Sequence, residues 1–228
     1  MIKAVIFDLD NTLIDFMFMK NQAVNAAING MIETGLKIPF DEAKKKIYDI
    51  YEKQGYEYQE VLNQFIKDEY DNIDYKLLAA GIVSYRKAKE KALIAYPSAN
   101  KTLIDLSKLG LKLGLITDAP KREAWTRLFS VNFHHIFDKV VTYDDTGHKK
   151  PSKLPFELIL NFFKIKPEES IMVGDWPEKD IYGAKRVGMK TAFAKYGNPS
   201  NEIKNIDADV VLNEINEIVS YVKTFNQK

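Results

Sequence analysis

Ile2-Lys3-Ala4-Val5-Ile6-Phe7-Asp8-Leu9-Asp10-Asn11-Thr12 is the stretch whose reading decides the fold. A run rich in β-branched and aromatic residues predicts a buried strand. Two carboxylates one residue apart follow where that strand should stop, near Asp8. In an open α/β sheet, ligands bind beyond the carboxyl ends of the strands, so the pair lies where chemistry is expected. Side chains alternate along an extended chain, so Asp8 and Asp10 share a face if extension persists through Leu9. Two like charges held close raise a pKa unless something compensates. A divalent cation is one compensation. A proton kept on one carboxyl, making it a general acid beside an ionised partner, is another. Thr12 adds a hydroxyl, and the Asn11-Thr12 turn offers backbone N–H groups to an anion. Taken alone, the segment also fits an ordinary turn that binds nothing.

The next strand-like segment comes about a hundred residues later, at 111–117. Everything between reads as helical. Residues 19–34 end at Gly35, and a segment opened by Pro39 carries Phe40, Ala43, Ile47 and Ile50 at helical spacing and stops at Gly55. Further helices are predicted near 58–70 and 74–93. Four helices with short connections describe a small bundle. From Tyr96 the pattern alternates: helix 99–109 ended by Gly110, strand 111–117, helix 121–130, strand 138–142, helix 153–163, strand 170–174, helix 178–187 ended by Gly188, strand 190–194, strand 209–212 and a terminal helix. Such alternation predicts an α/β fold, a Rossmann-like parallel sheet flanked by helices. The expected domains are 1–14 as core, 15–93 as an inserted helical bundle, and 94–228 as the rest of the core.

Composition bounds the partners. A net charge of +1 gives no electrostatic case for a nucleic acid or a membrane surface. No cysteine is present, which removes disulfides, thiolate metal sites and cysteine nucleophiles. The first apolar stretch is short, ends in carboxylates and lacks a small-residue cleavage site, so no signal peptide is expected. No apolar run approaches the ~20 residues of a membrane span. A cytoplasmic protein is the expectation, and abundant Lys, Glu, Ile and Tyr with few Gln is compatible with a thermophilic source. The Lys44-Lys45-Lys46 run reads as a solvated helix face.

If Asp8 marks a site, other strands should deliver polar groups to the same edge. Leu113-Gly114-Leu115-Ile116 ends in Thr117-Asp118, where a hydroxyl and the following N–H groups can meet a phosphate oxygen. Ile171-Met172-Val173-Gly174 ends in Asp175, with Asp180 five residues on, a pair that suits a hard cation. Capping and first-turn acids give the same pattern without a ligand. Gly147-His148-Lys149-Lys150-Pro151 supplies lysines, and Pro151 restricts Lys150 to extended backbone.

Together these segments resemble the haloacid dehalogenase superfamily, whose members are mostly phosphatases. Four patterns match in order: Asp8-Leu9-Asp10-Asn11-Thr12, Thr117 ending an apolar strand, Lys150 before a helix with Lys149 a weaker claimant, and Gly174-Asp175 with Asp180. The resemblance implies a nucleophilic Asp8 that forms an aspartyl-phosphate, Asp10 as proton donor and then base, and Thr117 and Lys150 on the phosphoryl oxygens. It implies Mg²⁺ bound by Asp8, the backbone carbonyl of Asp10 and Asp175, with Asp180 helping directly or through water. The helical insertion resembles a family cap that covers the site. An acid at position 10 favours phosphate chemistry, because true haloacid dehalogenases lack it and need no metal. Trp176-Pro177 departs from the smaller polar residue many relatives carry after the acid.

The expected activity is hydrolysis of a small phosphorylated metabolite. A phosphomutase on the same scaffold and a non-catalytic phosphate-binding protein are the alternatives. Tyr48, Tyr51, Tyr56, Tyr58, Phe65 and Tyr70 read as bundle core rather than substrate pocket. His134, His135 and His148 have no metal-ligand spacing and are read as non-catalytic. The sequence sets neither the oligomeric state nor the particular substrate.

Overall fold

The computed structural model describes residues 1–198 and 206–227. The chain divides into two compact units, one formed by residues 1–15 and 94–228, the other by residues 16–93. Among the described residues no helix is long and apolar enough to cross a membrane.

The first unit begins with β1, Ala4–Phe7, whose four residues are fully buried. The second unit follows as α1 (Phe16–Thr34), α2 (Phe40–Gln54), α3 (Val61–Tyr70) and α4 (Tyr75–Ala92). The chain then returns through α5 (Ala99–Lys108), β2 (Lys112–Ile116), α6 (Lys121–Ser130), β3 (Lys139–Val141), α7 (Tyr143–Thr146) and α8 (Lys153–Phe163). It ends with β4 (Ser170–Gly174), α9 (Tyr182–Arg186), β5 (Lys190–Ala194), β6 (Val210–Leu212) and α10 (Glu217–Asn226).

Among the described residues the sheet has six strands in the order β3-β2-β1-β4-β5-β6, and every pairing is parallel. Its central strands are apolar on both faces because helices cover both, which is why they read as unbroken apolar runs. One face packs Ile6, Ile116 and Met172 against Phe156, Ile159 and Phe163 of α8. Register fixes the edge: Phe7 lies opposite Leu115 of β2 and Val173 of β4. The residues just past these strands therefore gather at one carboxyl edge. The strand order reverses its direction of growth at β1, with β2 on one side and β4 on the other, and such a switch point opens a crevice for ligands.

The helical unit is a bundle in which α1 packs along α4, with α2 and α3 completing the set. Tyr51 and Phe65 are buried in its core, and Tyr48, Tyr56 and Tyr58 pack against them, as their spacing predicts. Tyr70 differs: it is exposed at the end of α3, where its hydroxyl accepts from the Lys37 N–H at 3.2 Å. Lys46 pairs with Glu42 at 2.9 Å and Glu69 at 2.7 Å on the outside of α2. Lys20 is buried, donating to the Tyr56 carbonyl at 2.8 Å and the Tyr85 hydroxyl at 3.1 Å, with its ammonium 4.5 Å from the Tyr51 ring centre.

Two local features differ from expectation. The helix expected over 178–187 is a wide turn of π type, Pro177–Ile181, followed by a short α9. The short α7 was not expected; a reciprocal cap between Thr142 and Asp145 holds it without any apolar periodicity.

Candidate active site

Asp8 follows β1 directly, and its N–H donates to the Val173 carbonyl at 2.9 Å, so the ladder extends one residue past the strand. The chain then bends. Leu9 is buried, its carbonyl accepts from the N–H groups of Leu13 and Ile14, and Asn11 adopts a left-handed backbone with φ 59°. Extension therefore does not persist through Leu9, and the two carboxylates go to different partners. Asp8 turns to Lys150, whereas Asp10 Oδ2 accepts from Arg127 Nη1 at 2.6 Å. The two carboxylates thus have separate basic partners, although Asp10 stays near enough to raise the Asp8 pKa.

Lys150 is the hub. Its Nζ donates to Asp8 Oδ1 at 2.5 Å, to Asp180 Oδ1 at 2.6 Å and to the Ile116 carbonyl at 3.2 Å, which uses all three of its protons. Its backbone N–H donates to Asp118 Oδ1 at 2.9 Å, so the residue after Thr117 fixes the loop that delivers the lysine. Lys149, the weaker claimant, is exposed, and its ammonium lies 5.8 Å from the Tyr143 ring centre.

Asp175 extends from β4, and Asp180 folds back beneath it from the wide turn. Asp180 Oδ2 accepts from the Trp176 N–H at 3.0 Å. Gly174 makes the approach possible, since a β carbon there would overlap the Asp180 carboxyl. Asp8, Asp175 and Asp180 each present an oxygen to a common point, the three atoms lying within 4.8 Å of one another. Thr12 Oγ1 lies 3.4 Å from Asp8 Oδ2 and 3.3 Å from Asp175 Oδ1. The Asp10 carboxylate is outside this group; the family resemblance gives Asp10 a ligand role only through its backbone carbonyl.

Three buried carboxylates against one buried ammonium leave an excess of negative charge. Burial pushes the Asp8 carboxyl up to about 7, with Lys150 opposing and Asp180 and Asp10 adding to the rise. Burial likewise pushes Asp175 up to about 9, reinforced by Asp8 and Asp180. Burial works against the Lys150 ammonium, but the Asp180 and Asp8 carboxylates hold its pKa above the ordinary lysine range. An all-oxygen donor set with unbalanced negative charge is what a hard divalent cation satisfies.

Thr117 follows β2, its N–H bonded to the Val141 carbonyl at 2.9 Å, and its Oγ1 accepts from the Ala119 N–H at 3.1 Å. It is buried at the same sheet edge. Lys179 pairs with Asp118 at 3.3 Å and lies 4.3 Å from the ring centre of the half-exposed Trp176. His134 stacks on Phe129 at 4.1 Å, and His148 is exposed with Nδ1 2.8 Å from the Thr146 carbonyl; neither ring joins the carboxylate group.

Sequence reasoning missed three supports. Arg127 reaches Asp10 from α6. Tyr196 donates its hydroxyl to the Thr12 carbonyl at 2.8 Å, and Asn198 Nδ2 donates to the Asp175 carbonyl at 2.8 Å. Between them, Gly197 passes so close to the Asn11 carbonyl that no β carbon fits. Tyr196 and Asn198 follow β5 at the carboxyl edge, so the strand-end rule applied to β5 would have found them. Nothing in the α6 sequence separates Arg127 from Arg122.

A family model described as haloacid dehalogenase-like hydrolase matches residues 5–194. Glyceraldehyde 3-phosphate phosphatase of Pyrococcus furiosus is 35% identical over 99% of this chain and 95% of its own. The enzyme of the same description from Methanocaldococcus jannaschii is 34% identical over 100% of both chains. The crystal structure of a HAD phosphatase from Thermococcus onnurineus superposes with a TM-score of 0.71 at 26% identity, covering 97% of this chain and 98% of its own.

Proposed function

This chain belongs to the haloacid dehalogenase-like hydrolases and is a phosphatase, and from that premise we propose that its substrate is glyceraldehyde 3-phosphate and its metal Mg²⁺. Relatives of that description match it from end to end, which supports the substrate. We further take the enzyme to act in the cytoplasm on this soluble metabolite.

The observation that carries the mechanism is the Lys150 ammonium bridging Asp8 and Asp180 within the buried carboxylate group. Asp8 is assigned as nucleophile. Its oxygen attacks phosphorus, the P–O ester bond breaks, and the departing alkoxide takes a proton from Asp10. Water then attacks the phosphorus of the aspartyl-phosphate and gives its proton to Asp10, and the Asp8–phosphorus bond breaks to release inorganic phosphate. Lys150 and Thr117 are assigned to the phosphoryl oxygens, where charge builds in the transition state. Asp8, Asp175 and Asp180, with the Asp10 carbonyl, are assigned to hold the metal. When bound, the metal supplies positive charge that screens nucleophile from phosphate and orients the transferring group. Thr12, Tyr196 and Asn198 hold the loops that present these groups.

The test is phosphate release from glyceraldehyde 3-phosphate, phosphoglycolate, sugar phosphates and nucleotides, with EDTA and with Mg²⁺ restored. Glyceraldehyde 3-phosphate should give the highest kcat/KM, EDTA should abolish turnover, and Asp8→Asn should lower it by several orders of magnitude. Turnover of another phosphate with none of glyceraldehyde 3-phosphate would overturn the substrate, and unchanged activity in Asp8→Asn would overturn the nucleophile.

A further inference from the structure

We propose that Arg127 is the positioning residue for Asp10, holding that carboxylate in the one orientation from which it exchanges a proton with the leaving group and with water. The inference rests on the assignment of Asp10 as acid and base made above. Arg127 and Asp10 are 117 residues apart in the chain, yet Arg127 Nη1 lies 2.6 Å from Asp10 Oδ2. The Arg127 side chain is 2% exposed, against 21% for Asp10. A guanidinium keeps its charge under all ordinary conditions, so burying it is costly unless an acid lies opposite. The acid it meets is not one of the three that gather around Lys150. Lys150 serves those; Arg127 serves the carboxylate left outside them.

That separation has a chemical use. The bend at Leu9 and the left-handed Asn11 place Asp10 in a turn, not in a strand whose alternation would aim it. A charge-assisted bond to Oδ2 supplies the missing aim and fixes the direction of the other oxygen. Displacement of a reacting group by about 1 Å is enough to cost ~100-fold in rate. A cation that served folding alone would have no bearing on which leaving group departs.

The experiment uses that difference. kcat/KM covers the steps up to the first irreversible one, cleavage of the P–O ester bond. An alkoxide leaving group needs the proton from Asp10, whereas p-nitrophenolate leaves without one. Arg127→Met should lower kcat/KM for the best alkyl phosphate by about 100-fold and that for p-nitrophenyl phosphate by less than about threefold. Arg127→Lys should recover part of the loss. Asp10→Asn should show the same selectivity, and adding Arg127→Met to it should leave the alkyl-to-aryl ratio where it was, because the two act as one unit. The ratio compares two substrates on the same folded molecules; if Arg127→Met gives no folded protein, Arg127→Gln carries the comparison. An unchanged ratio in the Arg127 variants, with a collapsed ratio in Asp10→Asn, would overturn the inference alone. An unchanged ratio in Asp10→Asn would overturn the Asp10 assignment beneath it.

Discussion

Gly174 and Asp180 occupy what would be one space if residue 174 carried a side chain: the missing β carbon is the room in which the Asp180 carboxyl sits. Asp180 in turn accepts from the Trp176 N–H and from Lys150. Gly174→Ala should therefore push Asp180 off both partners. Overpacking of this kind costs about 1–3 kcal/mol of stability. The expected signature is a raised requirement for Mg²⁺ in activity titrations together with a lower Tm. A variant that needs no more metal than the parent would show that Asp180 keeps its place by some other route.

Lys150 is the buried cation of the group formed by Asp8, Asp175 and Asp180. Lys150→Met keeps the stem and removes the charge. Breaking a buried ion pair from one side costs about 3–5 kcal/mol when the remaining charge cannot be neutralised. Here the carboxyls can take up protons instead, so the loss of Tm should be larger at pH 8 than at pH 5. Activity should fall by ~10²–10³-fold at any pH if Lys150 meets the charge that develops on the phosphoryl oxygens, as proposed. Equal destabilisation at both pH values would count against the coupling of Lys150 to titrating carboxyls.

The sheet and its edge were legible because central parallel strands are buried on both faces and so appear as runs such as Ile171–Gly174 and Leu113–Ile116. Helix ends at Gly35, Gly55, Gly110 and Gly188 were legible for a backbone reason, since all four glycines have positive φ. What failed depended on contacts across the chain. Alternation puts Asp10 beside Asp8 only if the chain stays extended through Leu9, and the turn hydrogen bonds to the Leu9 carbonyl that bend it there are not reported by the sequence. Arg127 is one of several charged residues on α6, and its contact with Asp10, far away in the sequence, is what sets it apart. Tyr70 has core-like spacing yet lies in the last turn of α3, where the bundle no longer covers it.

Lys20 offers a test confined to the helical unit. Its ammonium lies within 6 Å of three rings, 4.5 Å from Tyr51, 5.3 Å from Phe16 and 5.8 Å from Tyr85. Removing the charge relieves a desolvation cost but leaves the Tyr56 carbonyl short of a donor, at about 1–3 kcal/mol. Ring attraction of up to about 2 kcal/mol is lost as well. Lys20→Met should therefore be destabilised by a net of about 1–2 kcal/mol in urea unfolding, and Lys20→Ala by more, because truncating the stem also opens a cavity. A Lys20→Met protein more stable than the parent would show that desolvation dominates at this position.

The carboxylate group also fixes how stability should vary with pH when no metal is bound. Unfolded, both carboxyls have lost their protons by about pH 5. Folded, burial first and then neighbouring acids hold Asp8 protonated up to about 7 and Asp175 up to about 9. Between these limits the folded state binds more protons than the unfolded state, so stability must fall as pH rises. Protonation favours the fold below the window, and that contribution is lost as pH passes through the two folded values. The loss across the window is on the order of several kcal/mol, since a proton held by the fold alone is worth about 1.4 kcal/mol for every pH step of one. A divalent cation replaces the protons as the neutralising charge and binds more strongly to ionised carboxylates. The Tm of EDTA-treated protein should therefore decline from pH 5 to pH 9, and Mg²⁺ should raise it more at pH 8 than at pH 5. Asp175→Asn, which cannot ionise, should flatten the metal-free decline and weaken the response to Mg²⁺. A metal-free Tm that climbs over the same interval would mean that Asp8 and Asp175 are ionised in the fold without help, and that Lys150 alone suffices to hold them.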